Sequence, residues 1–327
     1  MRISALCAAV LTYVALGHAP PAVAQVDQQR AQEYFKEAQA LCERDGGRLW
    51  GVSICAPMVI ADRRTQTIAT SQPAPDGARP RVLGLVNTPI EWGGARWAAY
   101  IWDDVANRTP RERKELFLHE MFHGVQPQLG LGGPALATEH LDALEGRYWL
   151  RLEWRALARA LRESGEHRNL AVRDALAFRQ ARRVLYPASA EDERAQEITE
   201  GLAAYTGTVL AAQSAADAIV GAVDLLTSME AAALEASFVR TFAYVSVLRM
   251  AFCSMHRLPT GGDEYAAPTI SPRSGCVYSL FNQPLMPRRL PPDTAAPRSA
   301  RPNRSARMSG SNGSPSCASA LSTVRCW

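Results

Sequence analysis

Three shortages narrow what this chain can be. Beyond the first two dozen residues no stretch is apolar enough to cross a bilayer. No stable membrane insertion is therefore expected once that leading stretch is gone. The cysteines never fall at C-x-x-C spacing, which removes the usual cysteine-zinc site from consideration. Lysine is almost missing: Lys36 and Lys114 stand among 36 Lys+Arg residues, and no basic stripe is interleaved with aromatics. No nucleic-acid partner is expected on that pattern. The net charge of +4 is itself uneven. Residues 247–327 hold ten arginines against Asp263, Glu264 and Asp293, about +7, so the remainder is slightly acidic.

What is present begins with an export signature. Arg2 gives a short basic start, Ile3 to Leu16 is apolar, and Ala22-Val23-Ala24 precedes Gln25 as an A-x-A cleavage site. Residues 1–24 are expected to be a signal peptide without a lipobox at Cys7, and the mature chain is expected to be periplasmic or secreted. Export makes disulfides plausible. Cys42 and Cys55 bracket a turn-rich stretch containing Gly46, Gly47 and Gly51. A bridge there would close a loop of about 14 residues and stabilise by roughly 3 kcal/mol in the chain-entropy model.

The most informative stretch is His119-Glu120-Met121-Phe122-His123, an H-E-x-x-H pattern. On a helix the two histidines lie at i and i+4 on one face, so both imidazoles reach one metal ion. Glu120 then stands beside that metal, placed to take a proton from water. The flanks read as a helix: Thr109 as N-cap, Pro110 at the first helical position, Glu112 closing a capping box, and an end at Gln126-Pro127. No histidine follows at metzincin spacing, and His140 and His167 have no supporting motif.

Around this helix the chain divides in two. Val26 to Arg44 reads as a helix. Gly51–Ile54, Met58–Ala61, Thr67–Thr70, Val82–Val86 and Trp97–Trp102 read as strands, with turns at Asp62-Arg63-Arg64 and Gly93-Gly94. The fold class expected is α+β, a small, mainly antiparallel sheet followed by a helical region carrying the metal site. The strand from Ala95 to Trp102 is a place where an extended peptide could pair edge to edge. Helices are expected over Thr138–Leu161, Asn169–Leu185, Glu191–Ala212 and twice within Ser214–Tyr244. Phe238, Phe242 and Tyr244 read as core. Glu139, Asp142, Glu145 and Glu153 read mostly as solvated helix positions.

After Ser246 the composition turns to Pro, Ser and Arg without periodicity. Residues 25–246 are thus expected to form one domain, and 247–327 a disordered extension or the product of a reading-frame shift. Leu248 to Met255 has a back-translation that, begun one nucleotide earlier, reads PAYGLLLD, a continuation of the preceding apolar helix.

Glu197-Ile198-Thr199-Glu200-Gly201-Leu202-Ala203-Ala204-Tyr205 resembles the E-G-x-A-x-Y run of gluzincin-type zinc metallopeptidases. Together with H-E-x-x-H, the resemblance covers residues from about 30 to 246. The LWGVS, HEMFHG and EITEGLAAYTG segments are also similar to a group of poorly characterised exported bacterial proteins. The resemblance implies a zincin-like fold and a Zn²⁺ ion on His119, His123 and Glu200. Glu197, one turn earlier, is the alternative ligand or a support for a histidine. It implies that Tyr205 either donates a hydrogen bond to the tetrahedral intermediate or packs. The His123–Glu200 separation is long for a compact gluzincin and calls for an inserted helical hairpin. The function expected is hydrolysis of a peptide or protein substrate by metal-activated water, with Glu120 as general base. The rival is a non-catalytic exported binding protein with a structural metal.

Overall fold

The computed structural model describes residues 25–131, 138–232, 237–239 and 241–246. The expected signal segment and the tail, with its reading-frame alternative, lie outside them.

Helix α1 (Gln28–Asp45) starts where the Asp27 carboxylate accepts from the Arg30 N–H at 3.0 Å, and ends at Gly46 with φ 55°. Its inward face, Ala31, Phe35, Ala38 and Cys42, follows helical spacing and packs into the main core. Cys42 is bridged to Cys55 with Cα atoms 5.4 Å apart, as the spacing suggested. The bridge ties α1 to the entry of β1 (Met58–Ala61).

Three more strands follow: β2 (Ile68–Thr70), β3 (Thr88–Trp92) and β4 (Ala95–Ile101). The sheet order is β2-β1-β4-β3. The two outer pairings are antiparallel and the central β1–β4 pairing is parallel. The β1–β2 turn is held by the Asp62 carboxylate, which accepts from the Arg64 and Thr65 N–H groups at 2.8 and 2.7 Å. The β3–β4 turn needs Gly93 and Gly94, whose φ of 60° and 76° fit a tight hairpin. Period-two alternation splits the sheet's residues. Met58, Ile60, Ala98 and Tyr100 face the main core, while Val59, Ala61, Trp97 and Ala99 form a small second core with Leu83.

Three strand expectations change. Gly51–Ile54 is not a strand; Gly47 and Gly51 take φ of 83° and 77°, and the chain turns there. Val82–Val86 is a turn with Gly84 at φ 80°, and of its apolar residues only Leu83 is buried. The β4 strand is interior, flanked by β1 and β3, so it offers no free edge; β3 does.

A short α2 (Trp102–Ala106) leads to α3 (Pro110–Val125). The expected long helix from Thr138 is broken: Glu139–Asp142 is a 3-10 turn, Ala143 is extended, and α4 runs Leu144–Arg162. It forms a helical hairpin with α5 (Gly165–Leu185) across Glu163 and Ser164. This hairpin accounts for the long stretch between His123 and Glu200. Then come α6 (Ala190–Gln196), a π-helical turn over Glu197–Gly201, α7 (Leu202–Ala211) and α8 (Ala215–Ala232), with a 3-10 turn at Phe242–Ser246. Helix α7 lies directly on α3. A Cβ at Gly207 would sit 2.5 Å from the Glu115 carbonyl oxygen, so only glycine permits that approach. Among the described residues no helix is long and apolar enough to cross a membrane.

Candidate metal centre

Helix α3 is fixed at both ends and along its length. Thr109 and Glu112 form the full capping box with Pro110 in the first turn. The Tyr100 hydroxyl on β4 donates to the Phe117 carbonyl at 2.9 Å, and the Trp50 ring stacks on Phe122 at 4.7 Å. The Trp50 indole N–H in turn donates to Thr206 Oγ1 on α7 at 2.9 Å. Sheet, α3 and α7 are thereby locked together, and the two ligand-bearing segments share that frame.

His119, His123 and Glu200 converge from α3 and the π-helical turn. The two Nε2 atoms are 2.9 Å apart, and Glu200 Oε2 lies 3.4 Å from His119 Nε2 and 3.5 Å from His123 Nε2. Donors about 2.1 Å from a tetrahedral zinc are separated by about 3.4 Å; the two edges to Glu200 match that, and the His119–His123 edge of 2.9 Å is shorter by about half an ångström. The set of two imidazoles and one carboxylate suits zinc chemically as well.

Glu120 sits among them and is 6% exposed. Its Oε2 makes no hydrogen bond to the protein. Burial raises its pKa, and the neighbouring histidines pull the other way without cancelling the shift. Burial opposes ionisation of Glu200 too. Its close contacts with His119 and His123 outweigh that and hold its carboxyl well below the usual range. For His123 burial lowers the pKa, but bonding to Glu200 and the charge of Glu120 win and raise it. The cluster therefore favours a charged carboxylate at Glu200 and raises the proton affinity of Glu120.

The cluster opens on a cleft of about 670 Å³. Its walls include Asn87, Thr88 and Pro89 at the start of β3, Arg96 from β4, and Tyr244.

The expected residues divide as follows. His119, His123, Glu120 and Glu200 come together. Glu197 does not join them. It is 1% exposed and pairs with Arg179, which also binds Glu153 at 2.8 Å. An α-helical reading put Glu197 and Glu200 on one face; the wider π-helical turn, in which the Leu202 N–H donates to the Glu197 carbonyl, separates their directions. Glu153, read as solvated, is buried in the same ion-pair network with Arg182 and Glu193. Tyr205 is fully buried in the main core and does not line the cleft. The tyrosine that does is Tyr244, read from sequence as core. Its ring lies 5.6 Å from that of His119, and it lines the same cleft as Glu200. Burial, then the charges of Glu200 and Glu120, raise its pKa.

Two residues were passed over in the sequence: Tyr244 and Gln126. For Gln126 a signal existed, since it lies at i+3 from His123, on the same helical face.

Against protein-family models, curated proteins and solved structures the chain gives no match. The fold and the site together define a helical region behind a small mixed sheet with a His-His-Glu cluster consistent with a zincin-like metal site.

Proposed function

We propose that the protein is a zinc-dependent peptide hydrolase of the gluzincin type. The observation that carries the reading is the convergence of three metal-donor atoms beside a buried carboxylate, Glu120, at the wall of an open cleft. A structural zinc site closes all four positions with protein ligands, whereas a catalytic one keeps a position open. Among the described residues the cluster has three donors, which favours the catalytic reading over a binding protein with a structural metal.

His119, His123 and Glu200 would hold the zinc. When bound, zinc supplies Lewis acidity and brings a water's pKa toward neutrality. Glu120 would take a proton from the attacking water and later return it to the leaving amine. Burial of Glu120 suits both directions, because it brings a carboxylate's proton affinity closer to neutral pH. Tyr244, which lines the cleft beside His119, is the tyrosine placed to donate toward a developing oxyanion. The role assigned to Tyr205 by resemblance becomes packing behind the ligand turn.

An extended peptide fits the cleft through β3. This outer strand has one unpaired edge, and residues 87–89 line the cleft wall. The same reading takes the chain as exported, with residues 1–24 removed, the catalytic domain over 25–246 and residues 247–327 outside it.

The test is hydrolysis of a mixed peptide pool by purified protein, with metal content measured in the same sample. Cleavage that disappears on chelation and returns with zinc is expected. Full zinc occupancy without cleavage of any peptide would favour the binding-protein reading.

A further inference from the structure

We infer that Gln126 is the positioning residue of the metal centre, fixing the tautomer of His123 and tethering the two ligand-bearing segments. The inference rests on the metal-site reading above. Gln126 is the first residue past α3 and is 3% exposed. Its side-chain amide has three short partners. Nε2 donates to the Thr199 carbonyl at 2.8 Å and the Ile198 carbonyl at 3.2 Å, and Oε1 lies 2.6 Å from His123 Nδ1.

The chemistry of these partners leaves one assignment. Backbone carbonyls only accept, so the amide nitrogen must face Ile198 and Thr199. The amide oxygen then faces His123 and can only accept, so His123 carries its proton on Nδ1. Its Nε2 is left with a lone pair, and Nε2 is the atom that meets His119 and Glu200. An imidazole that donates from one nitrogen to a fixed acceptor is oriented and made a better ligand at the other.

The same amide answers a local need of the π-helical turn. In that turn the hydrogen bonds run from i to i+5, so the helix's regular donors no longer reach every carbonyl. Ile198 and Thr199 present theirs to Gln126, directly beside Glu200 in the chain. One side chain thus couples the placement of His123 to that of Glu200, although 76 residues intervene between them in the sequence. A merely space-filling residue would need neither bond.

Two variants separate the roles. Gln126→Met keeps the shape and removes all three bonds. Gln126→Glu keeps an acceptor for His123 but cannot donate to the carbonyls. Two quantities are measured on the full chain: zinc affinity by competition with a chelator, and the His123 tautomer of metal-free protein by nitrogen-15 NMR of the imidazole. The wild type should show the proton on Nδ1. Gln126→Met should lose 10–100-fold in zinc affinity and give a mixture of tautomers. Gln126→Glu should restore the Nδ1–H form. If Gln126→Met is not folded, Gln126→Glu and the wild type still decide. A wild type with its His123 proton on Nε2 overturns the inference, as does Gln126→Glu in that form. So does a folded Gln126→Met with zinc affinity within twofold of wild type. Because the tautomer is read without metal, a wild type that binds no zinc overturns the metal reading while the tautomer assignment is still tested.

Discussion

The turn from Glu197 to Gly201 carries two carboxylates three residues apart, and they serve opposite ends. Glu197 enters a closed network: Arg179 binds it and Glu153, Arg182 binds Glu153 at 2.8 Å and Glu193 at 2.7 Å, and His140 adds a bond to Glu193 at 2.8 Å. Every carboxylate there has a guanidinium. Burial alone would raise the Glu193 pKa, yet the Arg182 charge and the bonds to it leave the group well below its usual range. Glu200 enters a cluster of lone pairs. Two imidazole nitrogens and a carboxylate oxygen crowd within 3.5 Å, next to a second carboxylate, with no guanidinium among them. A buried set of charges that satisfies itself is architecture. A set of donor atoms with no guanidinium among them is consistent with a metal site. Both lie on one helical segment, and the π-helical turn is what sends them apart.

Breaking one side should leave the other standing. Glu120→Gln retains shape but not basicity. It should keep full zinc and lower peptide hydrolysis by about 10²–10⁴-fold. Unchanged turnover at full occupancy would remove Glu120 from the chemistry. Arg182→Met strikes the network instead. It leaves Glu153 and Glu193 buried with fewer counter-charges, which typically costs about 3–5 kcal/mol. Denaturant unfolding should show that loss, while zinc bound per folded chain stays the same. If zinc falls in proportion to stability, the two regions are not separable.

Replacing Cys42 and Cys55 together by serine removes a constraint that includes no residue of either region. A loss of about 3 kcal/mol is expected, with zinc affinity untouched. The smallest effect concerns Glu115, one turn before His119 on α3. Burial raises its pKa to about 7, against the pull of Arg111. With an unfolded value near 4.5, its ionisation costs nothing below pH 4.5, and the penalty grows as pH rises and is complete above about 7. Glu115→Gln should therefore raise stability at pH 8 by about 1–3 kcal/mol and change little at pH 4.5. Equal stabilisation at both pH values would contradict the assignment.

What the sequence showed and what it hid follow from range of interaction. The α3 helix was legible because its signals are local: Thr109, Pro110 and Glu112 start it, and the histidine spacing marks its face. The disulfide and both hairpin turns were legible for the same reason. The central β1–β4 pairing was not, since nothing local distinguishes an interior strand from an edge strand of similar composition. Val82–Val86 misled because an apolar run can serve a small core through one residue, Leu83, without pairing. Glu197 and Glu200 could not be told apart while the segment was read as α-helix. Arg179 and Arg182 carried no local signal, and only the packing of α4, α5 and α6 brings them to Glu153 and Glu193. Tyr244 reached the cleft through a turn that no periodicity announced.

The most direct test of the comparison is zinc stoichiometry and affinity in the wild type, Glu200→Ala and Glu197→Gln, measured on folded protein. One zinc per chain is expected in the wild type, little or none in Glu200→Ala, and near wild-type binding in Glu197→Gln. Zinc retained by Glu200→Ala, or a wild type that binds none, would contradict the assignment of His119, His123 and Glu200 as the metal site.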